Sequence, residues 1–130
     1  MYRQTTRALT VTVEPEFLAA HSQPDKGHYV WAYHVHIENH GQETVQLARR
    51  YWRIVDGAGQ EQEVRGAGVV GEQPVLKPGQ SFKYTSGTPL SIPGGFMTGS
   101  YEMINEEGDV FDIVIPAFSL DCPDQVTRLN

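Results

Sequence analysis

Tyr29-Val30-Trp31-Ala32-Tyr33-His34-Val35-His36-Ile37 is the stretch that decides the fold. Successive side chains of a strand point to opposite faces. Read that way, Tyr29, Trp31, Tyr33, Val35 and Ile37 share one face, every one of them large and β-favouring. Val30, Ala32, His34, His36 and Glu38 share the other, which is smaller and more polar. The segment is a strand with one face in a core.

Working outward, the same period of two recurs. Upstream, Leu9, Val11 and Val13 alternate with Thr10 and Thr12. Pro15 interrupts that run, which suits an edge strand or a bulge because proline has no N–H for a ladder. His21 to Gly27 is a polar loop. Downstream, Asn39-His40-Gly41 turns the chain, and Val45 and Leu47 open a strand that continues through Tyr51, Trp52, Ile54 and Val55. Ala48-Arg49-Arg50 breaks strict alternation, predicting a bulge there. Asp56-Gly57 is a hairpin signal, and Gln62 to Arg65 form the return strand. Gly66 to Gly79 holds four glycines and two prolines. It reads as an irregular crossing loop pinned by Val69, Val70, Val75 and Leu76. Phe82 and Tyr84 mark another strand, and Pro89 to Gly95 another connection. Phe96–Asn105 and Val110–Phe118 pair across the loop Glu106-Glu107-Gly108-Asp109, with Phe111, Ile113 and Ile115 inward.

Seven short strands without an amphipathic helix predict an all-β Greek-key β-sandwich. An immunoglobulin framework of Cys…Trp…Cys is absent, so the fibronectin type III-like variant, which needs no disulfide, fits better. At 130 residues the chain is the size of one domain, spanning 1–130. Ten Lys and Arg stand against 16 Asp and Glu, a formal net charge of −6. A surface of that sign repels polyanions, which argues against nucleic acid or an acidic membrane as partner. The single cysteine, Cys122, forms no internal disulfide and reads as a bland tail residue. Met1 to Thr12 has no apolar core of a signal peptide, and no stretch reaches the length of a membrane span. The expectation is a cytoplasmic protein in a reducing compartment.

Six blocks go beyond a generic sandwich. They are Tyr29-Val-Trp-Ala-Tyr33, Arg50-Tyr-Trp-Arg-Ile54, Gly66-Ala-Gly-Val-Val-Gly-Glu-Gln-Pro74, Leu76-Lys-Pro-Gly79, Tyr84-Thr-Ser-Gly87 and Gly99-Ser-Tyr-Glu-Met103. In this order they resemble the ApaG family of small bacterial proteins, over about residues 7–120. The resemblance implies a fibronectin type III-like sandwich. It also implies a gene neighbouring a diadenosine tetraphosphate hydrolase, and a link to cobalt and magnesium handling. Similar domains in eukaryotic F-box and polymerase-interacting proteins look like protein-interaction modules. No catalytic activity comes with the family.

Gly66, Gly68 and Gly71 spell G-x-G-x-x-G. A dinucleotide site needs a strand before those glycines and a helix after them, but Pro74 and Pro78 follow and no helical pattern does. What remains is a candidate anion nest of backbone N–H groups from Gly66, Gly68 and Gly71, with Arg65 or Lys77 adding charge. The competing reading is glycines at tight or positive-φ positions. His34 and His36 share a strand face with the parity of His28 and His40, and Glu38 is the nearest third ligand. Solvent-facing histidines are the commoner outcome, so no metal site is assigned. Arg49, Arg50 and Arg53 flank Tyr51 and Trp52, as in phosphate sites, but on a chain of net charge −6 arginine stems covering apolar sheet are the better explanation. The pairs Glu14/Glu16 and Glu61/Glu63 and the group Glu106/Glu107/Asp109 sit where solvated charge belongs. Trp31, Tyr33, Trp52 and Tyr101 read as core. Together these readings predict a module that binds a protein partner and is not an enzyme, with no cofactor. The alternative is a sensor for a phosphate-rich anion (pyrophosphate or a dinucleoside polyphosphate) or a divalent cation.

Overall fold

The computed structural model describes residues 1–121, so Cys122 lies outside the described residues. Nine strands follow in order: β1 (Tyr2–Thr6), β2 (Leu9–Phe17), β3 (Tyr29–Asn39), β4 (Val45–Asp56), β5 (Glu61–Ala67), β6 (Val75–Leu76), β7 (Ser81–Leu90), β8 (Gly95–Asn105) and β9 (Val110–Ser119). Two single 3₁₀ turns, at Ala19–His21 and Pro24–Lys26, are the only helical pieces among the described residues. One sheet has the order β1-β2-β3-β7. The other has β5-β4-β8-β9, with β6 pairing the start of β4 beside β5. All pairings are antiparallel. The chain crosses between sheets after β3, before β7 and after β7, the Greek-key order of a sandwich.

The expected seven strands are all present, and β1 and β6 are additional. Each escapes the sequence pattern for a physical reason. Tyr-Arg-Gln-Thr-Thr of β1 buries none of its residues completely, so it shows no apolar alternation. The turn joining β1 to β2 has positive φ at Arg7 and Ala8, the backbone of a two-residue hairpin, without the glycine or asparagine that usually announces it. Strand β6 is only two residues long, inside a Gly/Pro-rich stretch.

Two local expectations hold. Pairing of β1 with β2 stops at Tyr2 opposite Val13, so β2 is an edge strand where Pro15 sits. The register between β4 and β8 slips between Leu47 and Arg49, placing the bulge at Ala48.

The core lies between the inward faces. Tyr33, Trp52, Tyr101 and Phe118 meet there. Trp52 is 5.1 Å from Tyr33 and 5.9 Å from Phe118, ring centre to ring centre. Such edge and tilted pairs add about 0.5–1.5 kcal/mol each beyond the area they bury. The two sides of the sandwich differ. On one side β1 leans on β9: Val114 N donates to Thr6 Oγ1 (3.2 Å), and Tyr2 packs on Phe118. On the other side the outermost strands are β7 and the β5–β6 edge, and the seam between them holds the candidate site.

Candidate functional site

The glycine loop is tied to the bulge. Because Ala48 is the extra residue of β4, its carbonyl is free to serve the loop, accepting from Gly68 N (2.9 Å) and Gln73 Nε2 (2.9 Å). Leu47 N donates to Pro74 O at 3.0 Å. Between these anchors Val69 and Glu72 exchange both backbone bonds at 2.8 Å, making a miniature hairpin. Its two central residues, Val70 (φ 43°) and Gly71 (φ 81°), both have the positive φ that such a turn requires. Valine is a poor occupant of that region: a β-branched residue there is strained by roughly 1–3 kcal/mol. Gly68, at φ 62°, has a second constraint, since a Cβ would stand 2.9 Å from the Glu72 carbonyl carbon and closer still to its oxygen. Val69 is fully buried and pins the loop to the core, while Val70 is 54% exposed.

Parity after the bulge turns Arg50 inward with Trp52 and Ile54, and leaves Arg49, Tyr51 and Arg53 outward. The Arg50 guanidinium lies over Gly66, its ladder partner, whose hydrogen leaves the room: a Cβ there would lie 2.9 Å from both terminal guanidinium nitrogens. Nη1 donates to Ala67 O (3.1 Å) and Gly68 O (3.0 Å). Among the described residues Nη2 and Nε make no hydrogen bond, and no carboxylate lies within ion-pair distance of Arg50. A half-buried guanidinium compensated only by carbonyls keeps donors to spare.

A cleft of about 190 Å³ opens beside it, lined by Tyr33, Trp52, Val69, Val70, Gly71, Tyr84 and Ser86 as well as Arg50. Tyr84 and Tyr101 join hydroxyls beneath it, both rings being buried. Burial pushes Tyr33, Tyr84 and Tyr101 up from the ordinary tyrosine range, most for the last two, although Arg50 pulls the other way on each. For Tyr33 a bond to Ser86 also opposes the rise. All three phenols are therefore neutral hydrogen-bonding groups at neutral pH. The amides of Val70 and Gly71 donate to nothing among the described residues.

The residues expected to hold an anion are only partly assembled. Gly71 lines the cleft, while Gly66 and Gly68 contact Arg50, and the N–H groups of the loop do not converge as a nest. Those of Gly68 and Val69 are spent on Ala48 and Glu72. Arg65 points to the opposite face of its sheet, over the Tyr51 ring at 4.5 Å and within 3.0 Å of Glu63. There the Tyr51 hydroxyl, and secondarily Arg65, hold the Glu63 carboxyl below its ordinary range. Lys77 does not line the cleft. The cation at the loop is Arg50, which sequence reasoning had grouped with Arg49 and Arg53 as surface. Its signal was available: Arg50 lies two before Trp52 and four before Ile54, past the bulge.

His34 and His36 do not converge. His34 lies 2.9 Å from Glu16 and 2.8 Å from Thr85, whereas His36 and His40 flank Glu38 at 3.7 and 3.5 Å. Among the described residues no group of three or more His, Cys, Asp or Glu is placed to hold a metal ion. Arg53 pairs with Glu61 on the surface. No helix of the described residues is long and apolar enough to cross a membrane.

Four of the six sequence blocks quoted above line this cleft directly, and Tyr101 of a fifth bonds to it from below. The ApaG domain model matches residues 19–105. Protein ApaG of Rhodospirillum centenum is 59% identical, and that of Bradyrhizobium sp. (strain ORS 278) 60%, each over the full length of both chains. A crystal structure described as an ApaA protein from Bordetella pertussis superposes with a TM-score of 0.86 at 47% identity, covering 88% of this chain and 94% of that one. The chain belongs to the ApaG family.

Proposed function

We propose that this chain is a binding module without catalytic activity, and that it recognises an anionic group of a partner protein in the Arg50 cleft. One observation carries the reading: a half-buried guanidinium with no carboxylate partner among the described residues faces an anion-sized cleft. The lining supports binding over chemistry. Among the described residues it includes no His, Cys, Asp or Glu, and its tyrosines are held protonated. A second reading, a sensor of phosphate-rich small anions such as pyrophosphate, is favoured by the uncommitted Val70 and Gly71 amides. One available cation on a chain of net charge −6 suits a singly charged carboxylate better than a polyphosphate.

The test is a titration of ¹⁵N-labelled protein with acetate, inorganic phosphate and pyrophosphate, following the Val69–Glu72 amides and the Arg50 Nε–H. Saturable shifts that vanish in Arg50→Gln support the reading. Shifts that survive in that variant, or that never saturate with any of the three anions, refute it. Micromolar pyrophosphate binding beside weak acetate binding selects the second reading. Nucleotides and dinucleoside polyphosphates incubated with the protein should stay intact.

A further inference from the structure

Strand β7 closes one end of its sheet. Its ten residues pair with β3 on one side, and among the described residues nothing pairs with the other. Alternate N–H and C=O groups along Ser81–Leu90 therefore face outward, a ready template for another strand. Sandwiches usually guard such an edge with charge, proline or a covering loop. Here Lys83 and Pro89 are the only such guards within the strand. The opposite side of the sandwich shows the contrast, since β1 leans on β9 there through Thr6 and Tyr2.

The same edge borders the Arg50 cleft. Tyr84 and Ser86 of β7 form one wall, and Val69, Val70 and Gly71 form the facing wall. A strand laid beside β7 would run about 4.8 Å from it, and every second side chain would point into the seam between the sheets. One such side chain would stand over Tyr84 and Ser86, level with the open edge of the guanidinium. The neighbour two residues away on the same face, toward the start of β7, would meet the half-buried Phe82, and the exposed Val70 stands across the seam. The open backbone edge, a cation without a carboxylate among the described residues, and the apolar Phe82 and Val70 nearby describe one occupant.

We propose that an extended, proline-free segment of a partner protein adds as a strand along β7 and seats one aspartate or glutamate carboxylate on Arg50, with an apolar residue two positions away against Phe82. This rests on the anion-recognition reading above and adds to it the backbone that carries the anion.

The test uses an acetylated, amidated heptapeptide in which threonines alternate with valine, glutamate and valine, so that all three of these share one face. Calorimetry gives its affinity, and hydrogen exchange reports the β7 amides. The expected result is saturable binding with slowed exchange at alternate amides of Ser81–Leu90. Replacing the glutamate by glutamine, or the two threonines flanking it by proline, should each weaken binding at least tenfold. The protein variant Arg50→Gln should do the same. The glutamine peptide makes the charge test without altering the protein, so a loosened loop in Arg50→Gln cannot mimic the result. If acetate binds but the proline peptide matches the parent, the strand proposal fails and anion recognition stands. If neither acetate nor peptide binds, both fall together. If the peptide binds regardless of its glutamate, the Arg50 contact is wrong. A concentration-dependent dimer by sedimentation, protecting β7 without peptide, would assign the edge to a second copy of this chain and overturn the proposal.

Discussion

Replacing each glycine of the G-x-G-x-x-G loop by alanine, one at a time, separates three different reasons for having no side chain. At Gly71 the backbone alone matters: φ is +81° and nothing lies within 4 Å of a new Cβ. The left-handed region costs an alanine roughly 1–2 kcal/mol, so Gly71→Ala should lose about that much stability. Gly68 adds a collision. Its Cβ would press into the Glu72 carbonyl, so the strain is joined by the opening of the Val69–Glu72 hairpin. Those two backbone bonds contribute about 1 kcal/mol each, which brings Gly68→Ala to about 3–4 kcal/mol. Gly66 has no positive φ, and the atoms its Cβ would meet are the far end of Arg50. A flexible side chain moves aside, so Gly66→Ala should cost under about 0.5 kcal/mol while displacing the guanidinium and weakening anion binding. Urea unfolding reads the series, because a typical slope of about 1–3 kcal/mol/M turns these differences into clearly separated midpoints. Equal losses for Gly68→Ala and Gly71→Ala would refute the collision argument. A Gly66→Ala loss as large as that of Gly68→Ala would refute the claim that Arg50 yields.

Relieving the two strained turns should stabilise the fold. Val70→Asn in the loop hairpin and Ala8→Gly between β1 and β2 each put a residue tolerant of positive φ where φ is 43° and 64°. Each should raise stability by about 0.5–1 kcal/mol, read as a rise in Tm; no rise in either would show that the turns are not strained. Alkaline pH should act through the buried phenols. Burial raises Tyr84 and Tyr101, so the folded chain stays protonated where the unfolded chain ionises, near pH 10. Their stabilisation is complete below that pH and falls as pH rises beyond it, by about 1.4 kcal/mol per unit for each. The double variant Tyr84→Phe/Tyr101→Phe should flatten the fall between pH 10 and 11.5 in urea midpoints, and an unchanged slope would contradict the assignment.

The parts of the fold legible in the sequence were those where burial is one-sided. Strands β3, β4, β8 and β9 each bury mainly one face, so the period of two survives in the residues, and β2 shows it in sequence although its Thr10 and Thr12 are buried too. Strand β1 was invisible because both its faces are largely wet, and β6 because two residues carry no period. The site was legible in pieces. The bulge was read from broken alternation at Ala48-Arg49-Arg50, and the loop from its glycines, but nothing local says that they meet. Their junction runs through the Ala48 carbonyl and through Arg50 lying across Gly66, contacts between residues some 16 to 20 positions apart. Arg65 stands away from the cleft for the same reason: next to Gly66 in sequence, it points to the other face of the sheet, over Tyr51.

What remains is why an inward position beside Trp52 carries arginine at all. In a sandwich of this size a leucine or methionine there would bury its surface without leaving polar groups unpaired. A guanidinium drawn out of water loses hydration that two carbonyls restore only in part. The facing loop departs from the same rule of local consistency, placing a β-branched residue at positive φ although glycine or asparagine fits better. Either departure alone is ordinary. Their coincidence on the two walls of one cleft, beside a strand edge without a partner among the described residues, means that three separate costs fall within a few residues of each other. Packing explains none of the three. A carboxylate arriving on an extended backbone would offset two of them at once, neutralising Arg50 and completing β7, and its neighbours would cover the exposed Val70.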